Sequence, residues 1–268
     1  MNINAPIGVI DSGVGGLSVL RCLHMMLPHE DFIYLGDTAR TPYGTRSEQE
    51  IRGFVEEMLE WLEKRGVKQV IIACNTLTML GVDTLQKKHG FNITGMSKGE
   101  QMLLAASRNK KIGVMATPFT IGTEAHKKAL LAADPSVSVY PVACPDFVPL
   151  IEGERFGGDD IREAVARYAA PLKAAGIDAL ILSCTHFPFI RGEIEAEFGS
   201  GVTVIDPAEA TSRSAMEALG GLGLLRTEGK GRMKICCTAD KDRVKRLAER
   251  MLPVEDCVFE QINLSSEE

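Results

Sequence analysis

The chain has 268 residues, 45% of them hydrophobic and 25% charged, a globular composition that excludes a disordered, collagen-like or disulfide-scaffold protein. Its formal net charge of -6 argues against a broad nucleic-acid or anionic-membrane surface. Apolar runs such as Val70–Cys74 fall far short of the ~20 residues of a membrane-spanning helix, and MNINAPIGVIDSG at the N-terminus shows no export signal. Seven cysteines, an odd number without CxxC spacing, point to a reduced cytosolic protein whose thiols are core or reactive.

Short β-branched runs alternate with helical patterns from end to end. Strands are expected at Ile7–Ile10, Phe32–Leu35, Val67–Ala73 and Phe91–Thr94, then at Lys111–Met115, Val137–Pro141, Ala179–Leu182 and Val202–Ile205. The clearest helix spans Ser47 to Lys64. Ser47 and Glu50 form a capping box, and Ile51, Phe54, Val55, Met58, Leu59 and Leu62 share one face. A second helix is expected from Asp159 to Ala175, with Asp159 as N-cap and Ile161, Ala164, Val165 and Tyr168 turned inward. Apolar strands alternating with helices imply parallel sheets covered on both faces, the α/β class.

The chain also repeats itself. IGVIDSGVGGLSVL from Ile7 is echoed by IGVMATPFTIGTEA from Ile112, an offset of 105 residues. The strand ending near Tyr34 recurs near Tyr140, and VKQVIIACNTLTML from Val67 recurs as IDALILSCTHFPFI from Ile177, offsets of 106 and 110. Three echoes in series imply two similar, pseudo-symmetric α/β lobes. The third strand of each half ends in a cysteine, Cys74-Asn75-Thr76 and Cys184-Thr185-His186. Open α/β sheets bind ligands at the carboxyl edge of their strands, so both cysteines are expected on a shared cleft.

A cysteine between a strand and a helix has amides directed at its thiol, which favours the thiolate. The other reading is a buried structural thiol, to which Cys22, Cys144, Cys236, Cys237 and Cys257 are assigned. Asp11-Ser12-Gly13 reads as a site loop, or else as a tight turn with Asp11 capping the next helix. Neither a dinucleotide fingerprint nor a Walker loop occurs, and no Cys/His pair has zinc-site spacing, so no cofactor and no metal are expected. The run from Gly36 to Gly44 fits a surface loop at the same sheet edge. Thr117 and Thr120 either donate to a ligand carboxylate or cap a helix. His186 is a candidate proton partner for Cys184, and Glu152 is a weaker candidate.

These segments together carry a resemblance. IGVIDSGVGGLSVL (7–20), YLGDTARTPYGTRS (34–47), ACNT (73–76), the Thr117 loop, ACPDFVPLIEGE (143–154) and CTHFP (184–188) resemble the glutamate racemases, of the aspartate/glutamate racemase superfamily, over essentially the whole chain. The resemblance implies a cofactor-independent, cytoplasmic isomerase that interconverts L- and D-glutamate and supplies D-glutamate for peptidoglycan biosynthesis. It implies Cys74 and Cys184 as the two acid/base residues, aided by Asp11 on one side and His186 and Glu152 on the other. It further implies substrate contacts at Asp11, Ser12, Tyr43, Gly44, Asn75, Thr76, Thr117, Thr185 and His186, with Pro42 shaping its loop. The implied partner is the small substrate, not nucleic acid or membrane, and a homodimer is left open. The chain departs from the family pattern at GMSKGEQ (95–101), Phe119, Ser183 and Phe187.

The expected lobes are 1–95 with 207–268, and 96–206. An aspartate or hydantoin substrate, a non-catalytic two-lobed binding protein and a thiol redox protein are the alternative readings. Inversion of an α-carbon needs a proton removed on one face and returned on the other, a task suited to two opposed thiols.

Overall fold

A computed structural model describes residues 2–264. Among the described residues ten strands are formed: β1 (Ile7–Asp11), β2 (Phe32–Gly36), β3 (Gln69–Ile72), β4 (Asn92–Gly95), β5 (Lys111–Ala116), β6 (Ser138–Ala143), β7 (Ala179–Ser183), β8 (Thr203–Ile205), β9 (Met233–Cys237) and β10 (Cys257–Gln261). The chain divides into two compact units, one built from the residues up to Met96 with those from Ala208 onward, the other from Ser97–Pro207.

In the first unit the strand order is β10-β9-β2-β1-β3-β4, all parallel. In the second it is β6-β5-β7-β8, also parallel. The order β2-β1-β3-β4 is thus repeated by β6-β5-β7-β8, strand for strand along the sequence echo. Every residue of β1, β3 and β7 is buried, as strands covered on both faces must be. By contrast β6 and β10 lie at sheet edges and are partly exposed. Pro141 sits in β6, where an edge position tolerates its missing N–H.

The helix Glu48–Glu63 forms with Ser47 as N-cap and the capping box in place. Phe54 lies only half-buried on its inner face, beneath Arg40. The helix Asp159–Ala175 also forms, but Asp159 is its first residue, not its cap. Gly158 stands before it at φ 99°, in a backbone region that suits glycine. No strand was anticipated at β9 or β10. MKICC is short and bounded by charge and glycine, and CVFEQ is an edge strand with little apolar signal.

Lys68, just before β3, is a fully buried cation. Its three ammonium protons are directed at Glu30 Oε2 (2.5 Å), the Ile3 carbonyl (2.7 Å) and the Leu224 carbonyl (2.8 Å). Glu30 Oε1 accepts the Arg226 amide at 2.8 Å. This pair joins the chain's first residues, the start of β3 and the 224–226 segment. Removing one member of a buried pair leaves the other uncompensated. Lys68→Met is therefore expected to cost roughly 3–5 kcal/mol in urea unfolding, and the double variant with Glu30→Gln less than Lys68→Met alone.

Candidate active site

In the first unit, residues of interest gather where β1, β2 and β3 end. Asp11 closes β1 in register with Gly36 of β2, and it is inaccessible to solvent. Its Oδ1 accepts the Gly13 amide at 2.8 Å, and its carbonyl accepts the Asp37 amide at 3.0 Å. The helix Leu17–Met26 is preceded by Gly16 and has no side-chain cap, so the alternative of Asp11 as its cap does not hold. A side chain on Gly36 would collide with the Gly13 carbonyl, so this loop lies directly over the end of β2. Tyr34 Oη donates to that carbonyl at 2.8 Å.

Cys74 follows β3 in extended backbone and is 5% exposed. Its thiol points at Ser12 Oγ, 3.7 Å away, which brings together two residues 62 positions apart. Asn75 and Thr76 are buried beside it. The helix that follows, Asn75–Thr78, is a single turn. A macrodipole needs many aligned peptides, so the helix contributes less at the thiol than a full helix would.

The run from Gly36 to Gly44 is not a simple surface loop. Asp37, Tyr43 and Gly44 are buried, and Pro42 is half-buried in a cis peptide with Thr41. Asp37 explains the burial. Its carboxylate accepts from Tyr43 Oη, from Arg40 Nε at 2.5 Å and from Thr238 Oγ1 at 2.8 Å. Burial, reinforced by the Asp37 charge, pushes the Tyr43 hydroxyl far above its ordinary range and keeps it a neutral donor. Arg40 also reaches Glu57 at 2.6 Å and lies over the Phe54 ring, against which Tyr43 packs. Sequence reasoning missed Thr238, which arrives from the far end of the chain and has no local signal.

In the second unit, Thr117 follows β5. Its Oγ1 accepts the Thr120 amide and caps the helix Pro118–Gly122, one of the two roles foreseen for it. Cys184 follows β7 and is 6% exposed, with Thr185 buried after it. Its sulfur lies 4.0 Å from His186 Nδ1, and His186 Nε2 lies 2.7 Å from Glu152 Oε1. Glu152, at the end of the helix Phe147–Glu152, thus completes a thiol–imidazole–carboxylate chain. Burial opposes charge on His186, but the bonds to Cys184 and Glu152 outweigh it and hold the imidazole protonated well above its usual range. The neighbouring Cys144 is different: burial and the proximity of Cys184 push its thiol strongly upward, so it stays neutral. Phe187 meets Phe147 edge-on at 5.0 Å, seating the turn that carries His186. Among the described residues no group of three or more His, Cys, Asp or Glu is arranged to hold a metal, and no helix is long and apolar enough to cross a membrane.

Residues 7–215 match the family model described as Asp/Glu/Hydantoin racemase. A glutamate racemase of Lysinibacillus sphaericus strain C3-41 is 42% identical over 224 residues, 83% of this chain and 84% of that one. Another from the same species is 39% identical over 252 residues, covering 93% and 95%. The crystal structure of a glutamate racemase isoform from Bacillus anthracis has a TM-score of 0.92 at 32% identity, covering 99% of this chain and 100% of that one. A glutamate racemase from Francisella tularensis in complex with D-glutamate scores 0.89, also at 32% identity and with the same coverage. Fold and likeness define an α/β isomerase. The chain belongs to the Asp/Glu/Hydantoin racemase family, and it is an amino-acid racemase.

The His186–Glu152 contact makes stability depend on pH with a definite sign. A histidine whose pKa is raised on folding adds stability below its unfolded value of about 6.5, and that contribution fades as pH climbs through the raised value. Glu152→Gln should therefore destabilise the protein clearly at about pH 6 and much less at about pH 10 in thermal melts. A deficit equal at both pH values would mean that His186 is uncharged in the native state.

Proposed function

We propose that this racemase interconverts L- and D-glutamate by proton transfer between two cysteines, Cys74 and Cys184, without metal or organic cofactor, and that it supplies D-glutamate for peptidoglycan in the cytoplasm. The observation that supports the two-base reading is the placement of these thiols. Each is buried at the end of the third strand of a repeated four-strand order, and each faces a polar partner, Ser12 in one unit and His186 in the other. Glutamate is favoured by the names of the relatives, and by the Francisella tularensis enzyme's complex with D-glutamate.

One thiolate removes the α-proton, and the electron pair left on carbon is delocalised into the substrate carboxylate. The opposite thiol then delivers its own proton to the other face of the carbon. The thiolate and thiol have exchanged roles at the end, so the enzyme is ready for the reverse direction. The mechanism requires the two sulfurs to reach opposite faces of one α-carbon. Asp11 manages the proton of Cys74, while Glu152 and His186 manage that of Cys184. Ser12, Asn75, Thr76, Thr117 and Thr185, with Tyr43 and Gly44 on the loop shaped by Pro42, hold the carboxylates and ammonium. A positioned acid or base contributes about 10²–10⁴-fold; excluding water and fixing the charges around the carbon lowers the remainder of the barrier.

The decisive assay follows glutamate in heavy water, with a chelator present and no pyridoxal phosphate added. Product of inverted configuration should carry deuterium at the α-carbon. Cys74→Ala and Cys184→Ala should each stay folded and lose racemisation, while retaining slow α-exchange of one enantiomer. Substantial racemisation by either variant would sink the two-base mechanism.

Asp11→Asn tests the supporting carboxylate. Asn can still accept the Gly13 amide, so turnover should fall by about 10²-fold or more while the melting temperature changes little. The reverse pattern, lower stability with full activity, would reduce Asp11 to a turn residue.

A further inference from the structure

One buried histidine takes no part in the reaction described. His126, second residue of the helix Ala125–Ala133, is 4% exposed and lies between two backbone segments of the second unit. Its Nδ1 faces the Lys98 carbonyl at 3.3 Å, and its Nε2 is hydrogen-bonded to Ser183 Oγ. Ser183 is the last residue of β7, fully buried, and Cys184 follows it.

The direction of both bonds can be derived. A carbonyl oxygen only accepts, so Nδ1 carries the hydrogen. Burial pushes the imidazole down to about 4, against the smaller opposing effect of the Lys98 bond, so near neutrality His126 is uncharged. In the neutral ring Nε2 must then accept, and the Ser183 hydroxyl donates. The imidazole is a fixed brace with one tautomer and one orientation.

The brace acts where the sheet stops holding the chain. Pairing of β7 with β8 ends at Ile181, and pairing with β5 ends at Ser183 opposite Ala116. Cys184 therefore leaves β7 beyond its last ladder partner. The other end of the brace is anchored by the turn Ser97–Gly99. There the Gly99 amide donates to Ser97 Oγ at 3.1 Å, and Gly99 adopts φ +64°. A side chain on Gly99 would meet Ile181 Cδ1 at 2.6 Å, so the turn lies tight against β7. A buried imidazole is costly to desolvate, and an apolar residue would fill the space more cheaply; a satisfied polar bridge instead fixes one geometry.

We propose that His126 is a positioning residue for the Cys184 thiol: through Ser183 it fixes the carboxyl end of β7, from which Cys184, Thr185 and His186 follow. The catalytic part of this inference rests on Cys184 being one of the two acid/base groups; the geometric part does not.

The test uses the whole enzyme and two readouts. The first is the pH profile of iodoacetamide alkylation at Cys184 and Cys74, measured on the same molecules by peptide mass spectrometry. The second is kcat and KM for each glutamate enantiomer. Ser183→Ala and His126→Leu should each shift the Cys184 profile and leave that of Cys74 in place, with kcat about tenfold lower and KM within about twofold. His126→Gln, whose amide can still accept from Ser183, should restore much of the parent behaviour, and the double variant should be no worse than either single one. Ser183→Ala removes one oxygen atom and keeps the test informative if His126→Leu does not fold. An unchanged Cys184 profile in Ser183→Ala, or equal shifts at both cysteines, would overturn the positioning role. A shifted Cys184 profile with unchanged kcat would uphold the positioning and overturn the catalytic reading of Cys184.

Discussion

Parallel pairing brings the carboxyl ends of all strands in a sheet to one edge, and the register of that pairing decides which side chains meet there. In the first unit Ile10 stands beside both Leu35 and Ile72, so Asp11, Gly36 and Cys74 leave the sheet within two residues of a common level. In the second, Met115 stands beside both Val142 and Leu182, which sets Thr117 and Cys184 at the corresponding edge. A slip of one residue in β1 would turn Asp11 to the opposite face and bring Ser12 to its level. The buried, apolar interiors of β1, β3 and β7 oppose such a slip, because each is covered on both faces. Packing energy in the strand interiors thus fixes polar geometry at the strand ends.

Polar groups buried at those ends and elsewhere in the two units need compensation to remain so. Asp37 accepts from three side chains, and Lys68 satisfies its three protons on Glu30 and two carbonyls. His186 has partners at both ring nitrogens, as does His126. Desolvation would make any one of these groups costly if left unpaired. Satisfied pairs also lock their donors and acceptors into one arrangement, and Asp37 illustrates this. Its carboxylate holds Tyr43 beneath the surface with its hydroxyl committed, so a loop rich in turn residues becomes as fixed as the strands beside it.

What the sequence disclosed depended on how local each cause was. The helix Glu48–Glu63 was legible because its capping box and apolar face lie within eighteen residues, Ser47 to Lys64. Cys74 and Cys184 stood out because each ends an apolar run and precedes small polar residues, a pattern made visible twice by the internal echo. β9 remained hidden because MKICC is made a strand by its neighbours, and one of them, β2, lies about 200 positions earlier while the other, β10, is itself a weakly patterned edge strand. The burial of Asp37 was hidden for the same reason, since Thr238 comes from just after β9. His126 and Ser183 are 57 positions apart, and although Ser183 adjoins the Cys184 motif, nothing local to either residue signals their pairing. Local chemistry was readable, while tertiary compensation of buried polar groups was not.

The two units repeat a strand order but not an electrostatic environment. Cys74 faces a serine hydroxyl, with a neutral Tyr43 on the neighbouring loop; Cys184 faces an imidazole kept protonated with the help of a carboxylate. Under the proposed mechanism this inequality meets a thermodynamic limit. The two enantiomers have the same free energy in water, so kcat/KM must be equal in the two directions whatever surrounds each sulfur. An imidazolium beside Cys184 can favour one charge distribution of the thiol pair, and with it tighter binding of one enantiomer. Any gain in binding on that side is matched by slower turnover in the same direction. Unequal environments are therefore free to set kcat and KM separately for each enantiomer, and the constraint acts only on their ratio.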